Sequence, residues 1–327
     1  MSPVFRLAKL RQNETMRAML TETHVRPEHL IAPLFVHARL TQKKEILSMP
    51  GYYQLTLNDL TQEIDELLAL GIRGVILFGI PNEKDPHGSS SWSDDGIIQQ
   101  AIRRIRQTYP SLLIIVDICF CEYTDHGHCG VIKAEQLDHE ATLPLLAKQA
   151  LSVVEAGADW VAPSGMIDGM VGTLRTALDQ HGYTQTAILS YAVKYQSHLY
   201  GPFREAAEGA PKFGNRASYQ MNPANALEAL REVEIDIQEG ADLIMVKPAM
   251  LYQDIIFRVK QQYPEVPLCA YQVSGEYAMI KQAGRSGALD ESKLMVESLV
   301  GIKRAGADLI ITYFAKDYAR INYVTSA

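Results

Sequence analysis

Two lysines each close an apolar run. Lys194 ends Ala187-Ile-Leu-Ser-Tyr-Ala-Val-Lys194, and Lys247 ends Asp242-Leu-Ile-Met-Val-Lys247 ahead of Pro248. An ammonium at the end of a buried strand is costly unless it is paired with an acid or serves as a neutral amine. Near its ordinary pKa of ~10.4 a lysine is only about 0.04% neutral at pH 7, too little for efficient attack on a ketone. Lowering the pKa by about three units leaves roughly a quarter neutral and costs about 4 kcal/mol. An apolar pocket and a second cation supply that shift, and two adjacent lysines would each be the other's cation. Carbonyl chemistry through Schiff bases follows from such a pair. A buried ion pair to Asp or Glu is the competitor.

A second cluster is built of thiols: Asp117-Ile-Cys119-Phe-Cys121, with Cys129 downstream. Cys119 and Cys121 stand two apart on an extended segment, so their side chains share one face with Asp117. Three thiolates leave a tetrahedral zinc one open position, the arrangement of a catalytic site. His126 and His128 are candidates for a fourth ligand, which would make the site structural. Small buried core residues are the plainer alternative, and Cys269 reads that way. Zinc suits the set better than an iron–sulfur cluster because only three thiols are clustered. Arg204 and Arg216, with Gln220 close behind, form a third group; arginines pair bidentately with carboxylates and suit an anionic substrate. A solvated loop face would produce the same pattern.

Strands must place these groups. Short apolar runs give eight of them: Leu30–Val36, Gly74–Ile80, Leu112–Ile118, Asp159–Ser164, Ala187–Lys194, Leu243–Pro248, Pro267–Val273 and Leu309–Phe314. Most are continuous apolar blocks, as in parallel strands buried on both faces. Amphipathic stretches such as Leu57–Leu70, Leu143–Glu155, Ala226–Glu239 and Leu294–Arg304 lie between them. The alternation predicts an α/β protein, a (β/α)8 TIM barrel. A recurring device supports it: Glu155-Ala-Gly-Ala-Asp, Glu239-Gly-Ala-Asp and Arg304-Ala-Gly-Ala-Asp each stop a helix on glycine and enter a strand. An open doubly wound sheet is the alternative, but no GxGxxG turn is present. Residues 1–29 form an N-terminal arm with an amphipathic stretch, Glu14–Leu20. Residues 30–327 are one barrel domain. Residues 195–223, rich in Gly, Pro and aromatics including Phe203, form a long active-site lid.

In barrels the site gathers at the carboxyl ends of the strands. Asp117 and Cys119 end the third strand, Ser164 the fourth, Lys194 the fifth and Lys247 the sixth; Ser274 follows the seventh and Tyr313 lies near the end of the eighth. One such residue would mean little, but six strands deliver polar groups to one rim.

Bulk properties narrow the field. With 327 residues, 47% hydrophobic and 21% charged, the chain has ample material for a core. A net charge of −7 argues against broad nucleic-acid binding. No membrane span and no secretory signal are expected, and thiols reserved for a metal fit a reducing cytoplasm.

The chain resembles the porphobilinogen synthase (δ-aminolevulinic acid dehydratase) family, zinc-dependent bacterial type, from about residue 5 to 320. The carrying stretches are Asp117-Ile-Cys-Phe-Cys-Glu-Tyr-Thr-Asp-His-Gly-His-Cys-Gly130, Ala162-Pro-Ser164, Ser190-Tyr-Ala-Val-Lys-Tyr195, Gly201-Pro-Phe-Arg204, Met245-Val-Lys-Pro248, Ala270-Tyr-Gln-Val-Ser-Gly-Glu-Tyr277 and Lys303-Arg-Ala-Gly-Ala-Asp308. The resemblance implies condensation of two 5-aminolevulinate molecules to porphobilinogen with loss of two waters. It implies that Lys247 bears the Schiff base of the first-bound substrate, with Ser274 and Tyr313 on its carboxylate. Lys194 would bind the second, with Arg204, Arg216 and Gln220 on its carboxylate, and Phe203, Asp117 and Ser164 lining the site. Zinc would sit on Cys119, Cys121 and Cys129, an allosteric magnesium at Glu232, and the assembly would be a homo-octamer. A single-substrate Schiff-base aldolase and a non-enzymatic zinc scaffold are the rival functions.

Overall fold

A computed structural model describes residues 5–325. Eight parallel strands form its centre: β1 (Leu30–His37), β2 (Gly74–Ile80), β3 (Leu113–Ile118), β4 (Trp160–Pro163), β5 (Ala187–Lys194), β6 (Leu243–Lys247), β7 (Leu268–Gln272) and β8 (Leu309–Thr312). Each pairs with the next, and β1 pairs back onto β8 through Leu30↔Ile310 and Ile31↔Ile311, closing the barrel. Closure removes both sheet edges and explains the continuous apolar strands, which face side chains inward and helices outward. All eight residues of β1 and all seven of β2 are buried. The predicted strands all form, Gly74–Ile80 and Ala187–Lys194 with unchanged ends and the others with ends shifted by one or two residues.

Helices follow each strand, among them Asp59–Ala69, Ile97–Thr108, Met170–Gln180, Leu227–Glu239 and Gln253–Gln262. Gly157, Gly240 and Gly306 have φ of +113°, +104° and +123°, so the repeated helix-to-strand device does rest on glycine's access to positive φ. Two helices differ from expectation. His139–Glu155 begins four residues before Leu143, because Asp138 caps it by accepting the Ala141 N–H at 3.0 Å; Pro144, its sixth residue, lies inside the helix. After β7 an additional helix, Ser274–Arg285, precedes Glu291–Ala305; its glycines mask it in the sequence. One of them is needed for packing, since a Cβ on Gly275 would lie 2.4 Å from the Leu199 carbonyl oxygen.

A register irregularity sets the rim. Leu243↔Leu189 and Ile244↔Ser190 give way to Val246↔Val193 and Lys247↔Lys194, so β5 carries one extra residue between Ser190 and Val193. Without it Lys247 would pair with Val193, and the two lysines would face opposite sides of the sheet. The bulge puts both amines on one face.

The segment after β5 is pinned at both ends: the Met221 N–H donates to the Lys194 carbonyl at 3.1 Å and the Gln196 N–H to the Met221 carbonyl at 2.8 Å. Between these ties lies a short helix, Gly201–Ala206. Ahead of the barrel, the helix Glu14–Met19 buries none of its residues, and Phe5, Leu7 and Met19 are exposed. Among the described residues no helix is long and apolar enough to cross a membrane.

Candidate active site

Lys194 and Lys247 end adjacent strands in register and are each only 5% exposed. Lys194 Nζ donates to the Ser164 carbonyl at 2.6 Å. Among the described residues the lysine ion pairs belong to Lys260, Lys281, Lys293 and Lys316, so neither rim amine has an acidic mate. Burial, and then the charge of Lys194, bring the Lys247 pKa down to about 7, against an opposing pull from Asp117. Roughly half of Lys247 is therefore neutral at pH 7. Asp117, whose Oδ2 accepts the Ser164 hydroxyl at 3.0 Å, is raised to about 6 by burial, with Lys194 and Lys247 pulling the other way.

Around Lys247 the walls are aromatic. Its Nζ lies 4.1 Å from the ring centroid of Tyr271, 5.0 Å from Tyr191, 5.2 Å from Phe203 and 5.4 Å from Tyr200. Tyr191, Tyr200 and Tyr271 are missing from the sequence-level site because a tyrosine inside a strand or lid is indistinguishable from core packing. Tyr191 sits in the β5 bulge and touches both amines, with Lys194 Nζ 5.4 Å from its centroid.

The thiols of Cys119, Cys121 and Cys129 are buried and lie within 4.8 Å of one another. Cys119 and Cys121 Sγ are 3.4 Å apart. Hydrogen bonds from its two cysteine neighbours hold the Cys129 thiol well below the ordinary range, and the nearby Arg216 charge adds to this. A compact set of three buried sulfurs, one already disposed to be a thiolate, fits a thiophilic divalent ion. The histidines do not complete it. His128 Nδ1 meets the Tyr219 hydroxyl at 3.1 Å and its Nε2 the Phe213 carbonyl at 3.0 Å, while His126 Nε2 meets the Pro86 carbonyl at 3.2 Å. The alternative of a histidine fourth ligand is thus withdrawn: the His128 ring is taken up by Tyr219 and Phe213, and the His126 ring by the Pro86 carbonyl and the His128 N–H. Glu122 stands beside the sulfurs instead: Cys121 Sγ lies 3.3 Å from its Oε2, and burial pushes its carboxyl well up.

One small cavity, of about 20 Å³, joins Asp117, Cys121, Glu122, Ser164, Lys194, Lys247, Phe203, Arg204 and Arg216. Arg216 is buried and donates from Nη2 to the Gly127 and Gly209 carbonyls, both at 2.9 Å. Its Nε and the Nε of Arg204 are buried with no hydrogen-bond partner among the described residues. Those donors suit an anion entering the cavity. Ser274 does not line this cavity; its Oγ accepts the Phe203 N–H at 2.9 Å and so fastens the segment after β5. Tyr313 lies one ring away, its hydroxyl 3.1 Å from that of Tyr271. Gln220 lines a neighbouring cleft with Asp168, Glu228 and Glu232. Glu232 is raised by burial and by the charges of Asp168 and Glu228.

Comparison with known proteins identifies this assembly. The family model described as delta-aminolevulinic acid dehydratase matches residues 4–321. A protein of that name from Staphylococcus aureus is 54% identical over 314 residues, covering 95% of this chain and 97% of the relative. Its namesake in Staphylococcus epidermidis is 53% identical over 314 residues, with the same coverage. The solved structure of delta-aminolevulinic acid dehydratase (porphobilinogen synthase) from Toxoplasma gondii, in complex with the reaction product porphobilinogen, superposes with a TM-score of 0.95 at 38% identity. That match covers 98% of this chain and 92% of the other. The closed barrel with paired rim lysines and a thiol knot therefore belongs to a hydro-lyase of the delta-aminolevulinic acid dehydratase, or porphobilinogen synthase, family.

Proposed function

We propose that this chain condenses two molecules of 5-aminolevulinate to porphobilinogen, losing two waters, through Schiff bases on Lys247 and Lys194. The observation that carries the reading is the register pair Lys194↔Lys247, free of acidic mates, beside three clustered thiols. Lys247 is the first nucleophile: burial and the neighbouring charge leave roughly half of it a neutral amine near pH 7. Its imine turns the ketone into an electron sink, so that the carbon beside it can lose a proton and become an enamine. Lys194 holds the second substrate across the cavity.

Ser274 and Tyr313 take the carboxylate of the first substrate; Ser274 exchanges its present bond to the lid for that carboxylate, or shares it. Arg204 and Arg216 take the carboxylate of the second, the two unpartnered guanidinium nitrogens supplying donors, and Gln220 joins them by turning its unpartnered Nε2 in from the neighbouring cleft. Phe203 forms a wall, and Asp117 and Ser164 line the floor. Residues 195–223 act as the lid that excludes water and orients both substrates, which makes the bond-forming steps intramolecular.

Cys119, Cys121 and Cys129 would hold zinc, which when bound supplies Lewis acidity at an open coordination position. Glu232, in a cleft with Asp168, Asp236 and Glu239, would hold an activating magnesium. Residues 1–29 serve as an arm between copies of the barrel 30–327 in a cytoplasmic homo-octamer.

Reduction with borohydride in the presence of 5-aminolevulinate is expected to add substrate mass to Lys247, and Lys247→Ala is expected to lower pyrrole formation by at least about a thousandfold. Chelation should abolish turnover and added zinc restore it. Full activity of metal-free protein, or labelling that persists in Lys247→Ala, would refute the respective assignment.

A further inference from the structure

We infer that Tyr271 is a further catalytic residue, whose ring face, with those of Tyr191, Tyr200 and Phe203, holds the positive charge that develops on Lys247 Nζ during imine formation. The inference rests on the Schiff-base reading above and extends it to the groups that make the charged intermediate tolerable.

The covalent step creates an electrostatic demand. The neutral amine adds through its lone pair to the ketone carbon, forming the C–N bond. One proton from the amine and one taken up from the medium leave with the ketone oxygen as water. The nitrogen keeps one proton and carries a full positive charge. That charge arises at a site only 5% exposed, where water cannot solvate it. A carboxylate in contact would neutralise it, but would equally hold the free lysine as an ammonium and remove the nucleophile. A ring face attracts a cation through its quadrupole and offers no full counter-charge to lock the resting lysine.

The two lysines differ in this respect. Lys247 Nζ is within 5.4 Å of four ring centroids, with Tyr271 nearest at 4.1 Å. Lys194 Nζ approaches one ring, that of Tyr191, and is tied to the Ser164 carbonyl. The box thus singles out Lys247. Its members come from two sources: Tyr191 and Tyr271 from β5 and β7, Tyr200 and Phe203 from the lid. The Tyr271 hydroxyl, 3.1 Å from that of Tyr313, steadies the ring. Of the four, Tyr271 is closest and sits on a rigid strand, so it should show the effect most clearly.

The test replaces Tyr271 with phenylalanine and with its mono-, di- and trifluorinated forms in the full chain. Every member of the series lacks the hydroxyl, so the bond to Tyr313 is constant while the ring quadrupole weakens stepwise. The probe is 4-oxopentanoate, a keto acid without the amine, which can form the imine and go no further. Borohydride-trapped mass at position 247 is measured as a function of probe concentration, with circular dichroism to verify the fold. The imine equilibrium constant is expected to fall progressively with fluorination, on the order of tenfold across the series. A flat series in which the adduct forms equally well overturns the inference alone. Absence of any Lys247 adduct in the unsubstituted protein overturns the Schiff-base reading and the inference with it.

Discussion

At the scale of residues, the site turns on how a buried lysine is kept usable. Lys247 has lost its water and gained aromatic walls and a neighbouring cation, and its pKa falls from 10.5 to about 7. Between those two values the unfolded chain binds a proton that the folded one does not, so folding stability rises with pH across that window and is lowest below it. Replacing Lys247 by methionine should therefore stabilise the protein while abolishing turnover. The gain should be on the order of a few kcal/mol near pH 6 and shrink toward pH 9, as read from thermal melts. A variant less stable than the parent at pH 6 would contradict this. The strand-end position of both lysines and the spacing of the thiols were legible in the sequence. The histidines were not, because Cys-rich turns and lid anchors use the same residue types and only packing separates them.

At the scale of elements, the decisive feature is the extra residue in β5. Ser190-Tyr-Ala-Val193 contains neither glycine nor proline, so nothing in the sequence marks a bulge there. Yet it decides whether the lysines share a face. The eight strands were legible for the opposite reason: a parallel strand buried on both faces must be apolar throughout, whatever its neighbours. The helix Ser274–Arg285 was hidden by Gly275 and Gly284, which lower helix propensity but are paid for by close packing. Its Glu276, fully buried, accepts the Met250 N–H at 2.6 Å and the Val273 N–H at 2.7 Å. The carboxylate thus ties the loop beyond Lys247 to the start of the helix that carries Ser274. Glu276→Ala should orphan these N–H groups and destabilise the fold by ~2–4 kcal/mol, read as a lowered melting temperature. An unchanged melting temperature would show that the tie is dispensable.

At the scale of the whole molecule, the barrel gathers the ends of strands that are distant in sequence into one rim, and the segment 195–223 contributes Tyr200, Phe203, Arg204 and Arg216 to the cavity there. The closed order of eight strands was readable from alternation and spacing, whereas the division of the rim into neighbouring cavities was not. Gln220 and Glu232 share a cleft beside the lysine cavity, a separation that depends on how the lid folds back through the Tyr195↔Met221 bridge. The exposed apolar side chains of Phe5, Leu7 and Met19 are consistent with an arm that meets another copy.

The most direct test is the pH dependence of imine formation at position 247 in the unmodified protein. It would be followed with 4-oxopentanoate, cyanoborohydride and peptide mapping. The adduct should appear on Lys247, with an initial rate that climbs through about pH 7 and levels off above it. Modification of a different lysine, or a rate that climbs only near the ordinary lysine value of ~10.4, would contradict the account.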